Sequence, residues 1–178
     1  MCHEVDAAPP MEPSSGRDVV SEHVVLASTD GTRLAAFSAS PADPASTVVG
    51  VVILPDVRGL HAFYEQLALR FAEHGIVAFA LDYFGRTAGV ERRPPDFDYR
   101  AHVAQTTFAG HQADLAAAVA DLRSRGCRAV FTVGFCFGGR LSWLAAAEEH
   151  GVAGAIGCYG RPGSFQDGTP GPIERAGT

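Results

Sequence analysis

Three runs of this chain are apolar without alternation: Val48 to Leu54, Ile76 to Leu81, and Ala129 to Val133. A strand with one wet face alternates apolar and polar positions, whereas one buried on both faces does not, so these runs predict interior strands of a parallel sheet. Val152 to Cys158 predicts a last strand. From about Phe63 to His74, Leu67, Ala68 and Phe71 share one face, which predicts a helix closed by Gly75. Strand, helix, strand is a βαβ unit. From about His102 to Arg125, Leu115, Ala118, Val119 and Leu122 recur at helical spacing, which predicts one helix closed by Gly126. Upstream, Glu22 to Ser28 and Arg33 to Ala39 flank Asp30-Gly31, a hairpin signal. The fold class is therefore α/β, a mostly parallel sheet with an N-terminal antiparallel hairpin.

The same pattern divides the chain. Residues 1–16 are rich in Pro, Ser and Ala and predict a flexible leader, 17–160 form the core, and 161–178 are an irregular, Gly- and Pro-rich C-terminal segment. Asp82 to Arg100 reads as a long irregular loop, dense in charges and aromatics, at the carboxyl end of a strand, where α/β proteins usually build their sites.

Composition narrows the chemistry. At 178 residues with 47% hydrophobic content, one domain with a sizeable core is expected. The net charge of -6, with no basic stripe, argues against nucleic acid as a partner. No apolar run approaches the ~20 residues that span a bilayer, and the N-terminus lacks the apolar stretch of a secretory signal, so a cytoplasmic location without membrane contact is expected. All 14 residues counted as Lys or Arg are arginine. That excludes a Walker A loop, a Schiff-base lysine and a Ser-Lys dyad within these residues. The cysteines at positions 2, 127, 136 and 158 form no C-x-x-C, and there is no H-E-x-x-H, so a metal site has little support.

The chemistry concentrates at Val130 to Ala147, VFTVGFCFGGRLSWLAAA. An apolar strand runs into Gly134-Phe-Cys-Phe-Gly-Gly139, and a helical pattern follows from Arg140. Glycines are needed where the backbone turns too sharply for a side chain, so this fits a nucleophile elbow with cysteine in place of the usual serine. A thiol at a helix N-terminus is favoured as thiolate, and the N-H of Phe137 would face the oxyanion formed when a carbonyl is attacked. The competing reading is that Cys136 is a small buried hydrophobe in a Gly-rich turn.

Three motifs together resemble the dienelactone hydrolase family of α/β-hydrolases, over roughly Val48 to Gly160: G-F-C-F-G-G at 134 to 139, L-P-D-V-R-G at 54 to 59, and L-D-Y-F-G-R at 81 to 86. The resemblance implies Cys136 as nucleophile and the backbone N-H groups of Val57 and Phe137 as oxyanion hole. It puts Asp56 where the family has a glutamate that contacts the resting thiol, and Arg86 where an arginine holds a substrate carboxylate, a task suited to a guanidinium fork. Against these stand two structural readings: Asp56 as a helix cap, and Arg86 paired with Asp82 or Glu91. The implied activity is hydrolysis of a small carboxylate-bearing lactone or ester without a cofactor.

The family pattern also requires an acid and a histidine after the nucleophile. Here the only histidine beyond Cys136 is His150, at the predicted end of the elbow helix, and the acids after it are Asp167 and Glu174 in the tail. His61, His102 and His111 precede the elbow and read as core or surface histidines. The resemblance implies two further strands that would carry the missing acid and histidine. These residues alone are therefore expected to be almost inactive, with the last strand an exposed edge open to self-association. The alternatives are a non-catalytic fragment that binds a ligand or partner, and a redox pair of Cys136 with Cys158 as resolving thiol.

Overall fold

The computed structural model describes residues 7–14, 16–43, 48–94, 96–148, 150–164 and 168–176. Cys2, Pro44 and Asp167 lie outside them. The strands are β1 (Val19–Ala27), β2 (Arg33–Pro41), β3 (Val49–Leu54), β4 (Val77–Leu81), β5 (Ala129–Phe135) and β6 (Gly154–Cys158). They form one six-stranded sheet in the order β1-β2-β4-β3-β5-β6. The β1/β2 hairpin is antiparallel and joins β4 antiparallel, while β4, β3, β5 and β6 run parallel.

Side-chain alternation along the interior strands fills two layers rather than one. Val51 and Ile53 of β3 pack with Phe63, Tyr64 and Leu67 of helix α1 (Ala62–Glu73) on one face. Val52 and Leu54 pack on the other with α4 (Phe108–Ser124) and α5 (Phe137–Ala147), through Leu115, Val119, Leu122, Leu141 and Leu144. This is why the strand sequences are apolar at consecutive positions: both faces are covered. Each such buried side chain contributes roughly 1.5–3 kcal/mol. Gly75 ends α1 at a φ of 86°, a conformation that favours glycine.

Two expectations change. The stretch read as one helix from His102 to Arg125 is interrupted, giving α3 (Tyr99–Val103) and α4. Local hydrogen bonds at two threonines cause the break: Thr106 Oγ1 donates to the Val103 carbonyl at 2.8 Å, and Thr107 Oγ1 accepts from Gly110 N-H at 3.1 Å as the N-cap of α4. The segment read as wholly irregular from Asp82 to Arg100 contains the short helix α2 (Gly85–Ala88) and the start of α3.

The ends are tethered where they are described. Ala7 and Met11 pack against the α1 face, and Ser14 N-H donates to Glu73 at 2.8 Å. Near the C-terminus, α6 (Pro172–Arg175) sends Arg175 to Glu148 and over the Phe108 ring, 4.5 Å from its centroid. Among the described residues no strand pairs with the outer side of β6, where Ile156 is 59% exposed. No helix is long and apolar enough to cross a membrane.

Candidate active site

The link between β5 and α5 is a single residue, Cys136, at φ 54° and ψ -111°. A left-handed conformation at a non-glycine residue costs of order 1–3 kcal/mol and persists only where the surroundings hold it. They do so closely. Cys136 N-H donates to the Cys158 carbonyl at 2.9 Å, and Arg140 N-H donates back to the Cys136 carbonyl at 3.3 Å. The neighbouring glycines are demanded by contact. A Cβ on Gly134 would lie 1.9 Å from the Gly138 carbonyl oxygen, one on Gly138 would lie 2.0 Å from that of Leu54, and one on Gly139 would lie 2.5 Å from that of Cys158. The elbow helix starts at Phe137, earlier than the Arg140 suggested by periodicity, because these glycines already belong to its first turn.

Cys136 and Phe137 line a cavity of about 430 Å³ with Val57, Phe108, His111, Arg140, Tyr159 and Arg161 among its walls. Cys136, Val57 and Phe137, the residues read from sequence as candidate nucleophile and oxyanion donors, thus line one cavity. Among the described residues neither Val57 N-H nor Phe137 N-H has a hydrogen-bond partner. Tyr159, just after β6, is a second non-glycine residue at positive φ, 43°.

Asp56 is adjacent to this arrangement but differently engaged. It is fully buried, and its carboxylate accepts from Arg58 N-H at 2.9 Å and from the Arg58 guanidinium at 3.0 and 2.7 Å. His61 Nε2 stands 3.7 Å away. Burial alone would push this carboxyl up, yet His61 and the Arg58 donors overcome it and hold it well below the usual carboxylate range. Asp56 is not the cap of α1; His61 occupies that position without a side-chain cap.

Arg86 is not brought to the Cys136 cavity. Its Nη1 donates to Asp114 at 2.7 Å, Nε and Nη2 to Asp30 at 3.1 and 2.7 Å, and Nη2 to Ser28 at 3.1 Å. Neither partner read as its alternative, Asp82 or Glu91, is used. Arg93 takes Asp82 instead, at 2.7 Å. The cations that do line the cavity are Arg140 and Arg161.

Of the histidines, His111 is buried, in keeping with a core residue, yet it also lines the cavity. Its ring meets Tyr83 and Phe137 edge-on, both at 5.3 Å between centroids. Burial, and then the charge of Arg86, holds its pKa down to about 3, so the ring is neutral near pH 7. A conjugate acid that strong makes the imidazole a poor acceptor for a thiol proton. His150 lies elsewhere, with Nε2 2.6 Å from Gln112 Oε1. Cys158 pairs in register with Phe135, and its side chain joins the α1-side cluster. Two further residues were not singled out from sequence: Tyr64 and Tyr83, whose hydroxyls hold the backbone at Pro55 and Asp56. Tyr64 sits in an amphipathic stripe and reads as ordinary core; only the adjacency of Tyr83 to Asp82 hinted at a site.

A parallel sheet with an antiparallel hairpin at one edge, carrying a strained cysteine between strand and helix above a pair of unpaired N-H groups, defines the α/β-hydrolase class. Within that class the assignment is specific: the dienelactone hydrolase family model matches residues 34–173, and the chain belongs to this family. A carboxymethylenebutenolidase of Pseudomonas putida is 30% identical over 151 residues, covering 80% of this chain and 62% of that protein. A candidate dienelactone hydrolase from Klebsiella pneumoniae, known by crystal structure, superposes with a TM-score of 0.76 at 23% identity, covering 89% of this chain and 68% of that one. A dienelactone hydrolase-like promiscuous phosphotriesterase from metagenomic libraries gives 0.54 at 26% identity, covering 74% and 55%. The chain spans 50–62% of the length of curated relatives such as those of Salmonella typhi, Methylorubrum extorquens and P. putida.

Proposed function

We propose that this chain carries the nucleophile and oxyanion hole of a cysteine hydrolase acting on a small ester or lactone. The observation that carries the reading is the juxtaposition of Cys136, in its strained elbow, with the unpaired N-H groups of Val57 and Phe137 around one cavity. In the proposed reaction the Cys136 thiolate attacks the carbonyl carbon, forming a C-S bond and an oxyanion held by the two N-H groups. The C-O bond then breaks, the leaving oxygen departs with the electron pair and takes a proton, and water later resolves the thioester. A carboxylate on the substrate would be met by Arg161 or Arg140 rather than Arg86, since only the former line the cavity. Family membership favours this reading over a non-catalytic binder. The open side of β6 would accept a strand of another copy, which concentration-dependent sedimentation would reveal.

No histidine among the described residues is given the role of base in this reading, so acylation is expected to outrun deacylation. Mixing the 178-residue chain with p-nitrophenyl acetate should release nitrophenolate stoichiometrically and leave one acetyl group on Cys136, located by mass spectrometry. Cys136→Ala should abolish both signals. Acetylation elsewhere, or none at Cys136, would sink the reading.

A further inference from the structure

The oxyanion loop after β3 shows an unusual economy of partners. Pro55 has no N-H, and its carbonyl accepts from the Tyr83 hydroxyl at 2.7 Å. Asp56 N-H donates to the Tyr64 hydroxyl at 2.9 Å. The Asp56 carbonyl accepts from Gly59 N-H at 3.1 Å, its carboxylate accepts from Arg58 N-H at 2.9 Å, and Asp82 accepts from Leu60 N-H at 3.2 Å. Of the peptide N-H groups from Asp56 to Leu60, only that of Val57 is left without a partner among the described residues. An oxyanion donor acts through its fixed position, so whatever fixes the two peptides before Val57 fixes the hole.

Resting on the hydrolase reading above, we infer that Tyr64 and Tyr83 are positioning residues that clamp the Pro55-Asp56 backbone and thereby aim the Val57 N-H. They grip it from opposite faces of the sheet. Tyr64 is fully buried in the α1-side cluster, edge-on to Phe63 at 5.1 Å, whereas Tyr83 belongs to the cluster under α4 and α5. Tyr83 also touches the second donor residue, its ring lying 5.4 Å from that of Phe137 and at 74° to it. One side chain therefore references both halves of the oxyanion hole. Burial raises the pKa of both phenols, so each remains a neutral hydroxyl across the range in which a thiolate works. Asp56 acts in the same clamp: its carboxylate folds the turn through Arg58 N-H, a role in shaping the loop that differs from contact with the thiol.

The test separates carbonyl chemistry from thiol chemistry. Attack of Cys136 on p-nitrophenyl acetate forms an acetyl thioester, expels nitrophenolate with the electron pair and releases the thiol proton to solvent, passing through an oxyanion. Alkylation by iodoacetamide displaces iodide and forms no oxyanion. Tyr83→Phe and Tyr64→Phe keep the ring and remove only the hydroxyl. In the full 178-residue chain each should slow Cys136 acylation about tenfold, less than the 10²–10³ typical of deleting a donor outright, and leave alkylation unchanged. Deuterium uptake should rise over residues 55–60 in both variants. A parallel fall of acylation and alkylation, or unaltered acylation beside a wild type that acylates normally, would overturn the inference. A wild type that never acylates at Cys136 would instead overturn the hydrolase reading beneath it.

Discussion

The loops that leave the neighbouring parallel strands β3 and β4 emerge on the same end of the sheet, yet they finish in opposite states. After β3, the peptide N-H groups from Asp56 to Leu60 are matched among the described residues except that of Val57, which is left for a ligand. After β4, Arg86 donates through all three of its nitrogens to Asp30, Asp114 and Ser28, which ties α2 to the turn of the hairpin and to α4. An unmatched donor beside a nucleophile is available for chemistry. A cation already held by two carboxylates is a fastening. Under the proposed reading the chemistry rests on backbone geometry, while the motif arginine fastens α2 to its neighbours.

The sharpest way to break this comparison is to disturb the backbone on the β3 side. A Cβ at position 138 would meet two main-chain oxygens, those of Leu54 at 2.0 Å and Pro55 at 2.3 Å, and neither can swing aside as a side chain can. Gly138→Ala is expected to cost more than about 3 kcal/mol, read from urea denaturation, and to abolish Cys136 acylation in whatever remains folded. Normal acylation in a stable Gly138→Ala protein would show that the elbow does not depend on that close approach.

On the β4 side the opposite outcome is expected. Arg86→Met strands Asp114, whose side chain is 5% exposed, and so should destabilise the fold by about 3 kcal/mol, the low end for a broken buried pair because the guanidinium is itself partly exposed. Acylation of Cys136 by an uncharged ester should be unaffected in the folded fraction. Selective loss of reactivity toward a carboxylate-bearing ester, with unchanged stability, would restore Arg86 to the substrate site.

How far these roles were legible follows from the range of the interactions involved. Consecutive apolar residues in β3, β4 and β5 and glycines around Cys136 are local signals, and they located the sheet and the elbow with Phe137 beside it, whereas Val57 came only from the family resemblance. The partners of Arg86 were not legible, because Asp30 lies 56 positions away on the hairpin turn and Asp114 lies 28 away on α4, beyond the neighbours that spacing can rank. Tyr64 was hidden for another reason: its ring fills the α1 stripe as any aromatic would, and only the fold shows its hydroxyl reaching Asp56 N-H. The break between α3 and α4 was written in Thr106-Thr107, a short-range capping signal that the longer apolar periodicity overrode.

The smallest effect sharpens the boundary between the two loops, where His111 touches Tyr83 and Phe137 and feels Arg86. Its folded pKa, about 3, lies below the ordinary 6.5, so between those values the unfolded chain binds a proton that the folded chain does not. Stability from this residue is therefore complete above about pH 6.5 and is lost as pH falls toward 3. Asp56 and Asp30, held below the carboxylate range, add acid sensitivity only below about pH 4. His150, also lowered by burial, and Asp114, raised by burial, contribute in the same range, so the part of the slope between pH 6.5 and 4.5 that belongs to His111 is the difference in urea midpoints between wild type and His111→Phe, expected to be worth on the order of 1–2 kcal/mol. His111→Phe should make that segment shallower by this amount. In Arg86→Met, the charge that helps keep the ring neutral is gone and the folded pKa rises, so the loss still begins near pH 6.5, which the unfolded chain sets, but ends at a higher pH and is smaller in total. An identical slope in all three proteins would mean that His111 is not the group that titrates.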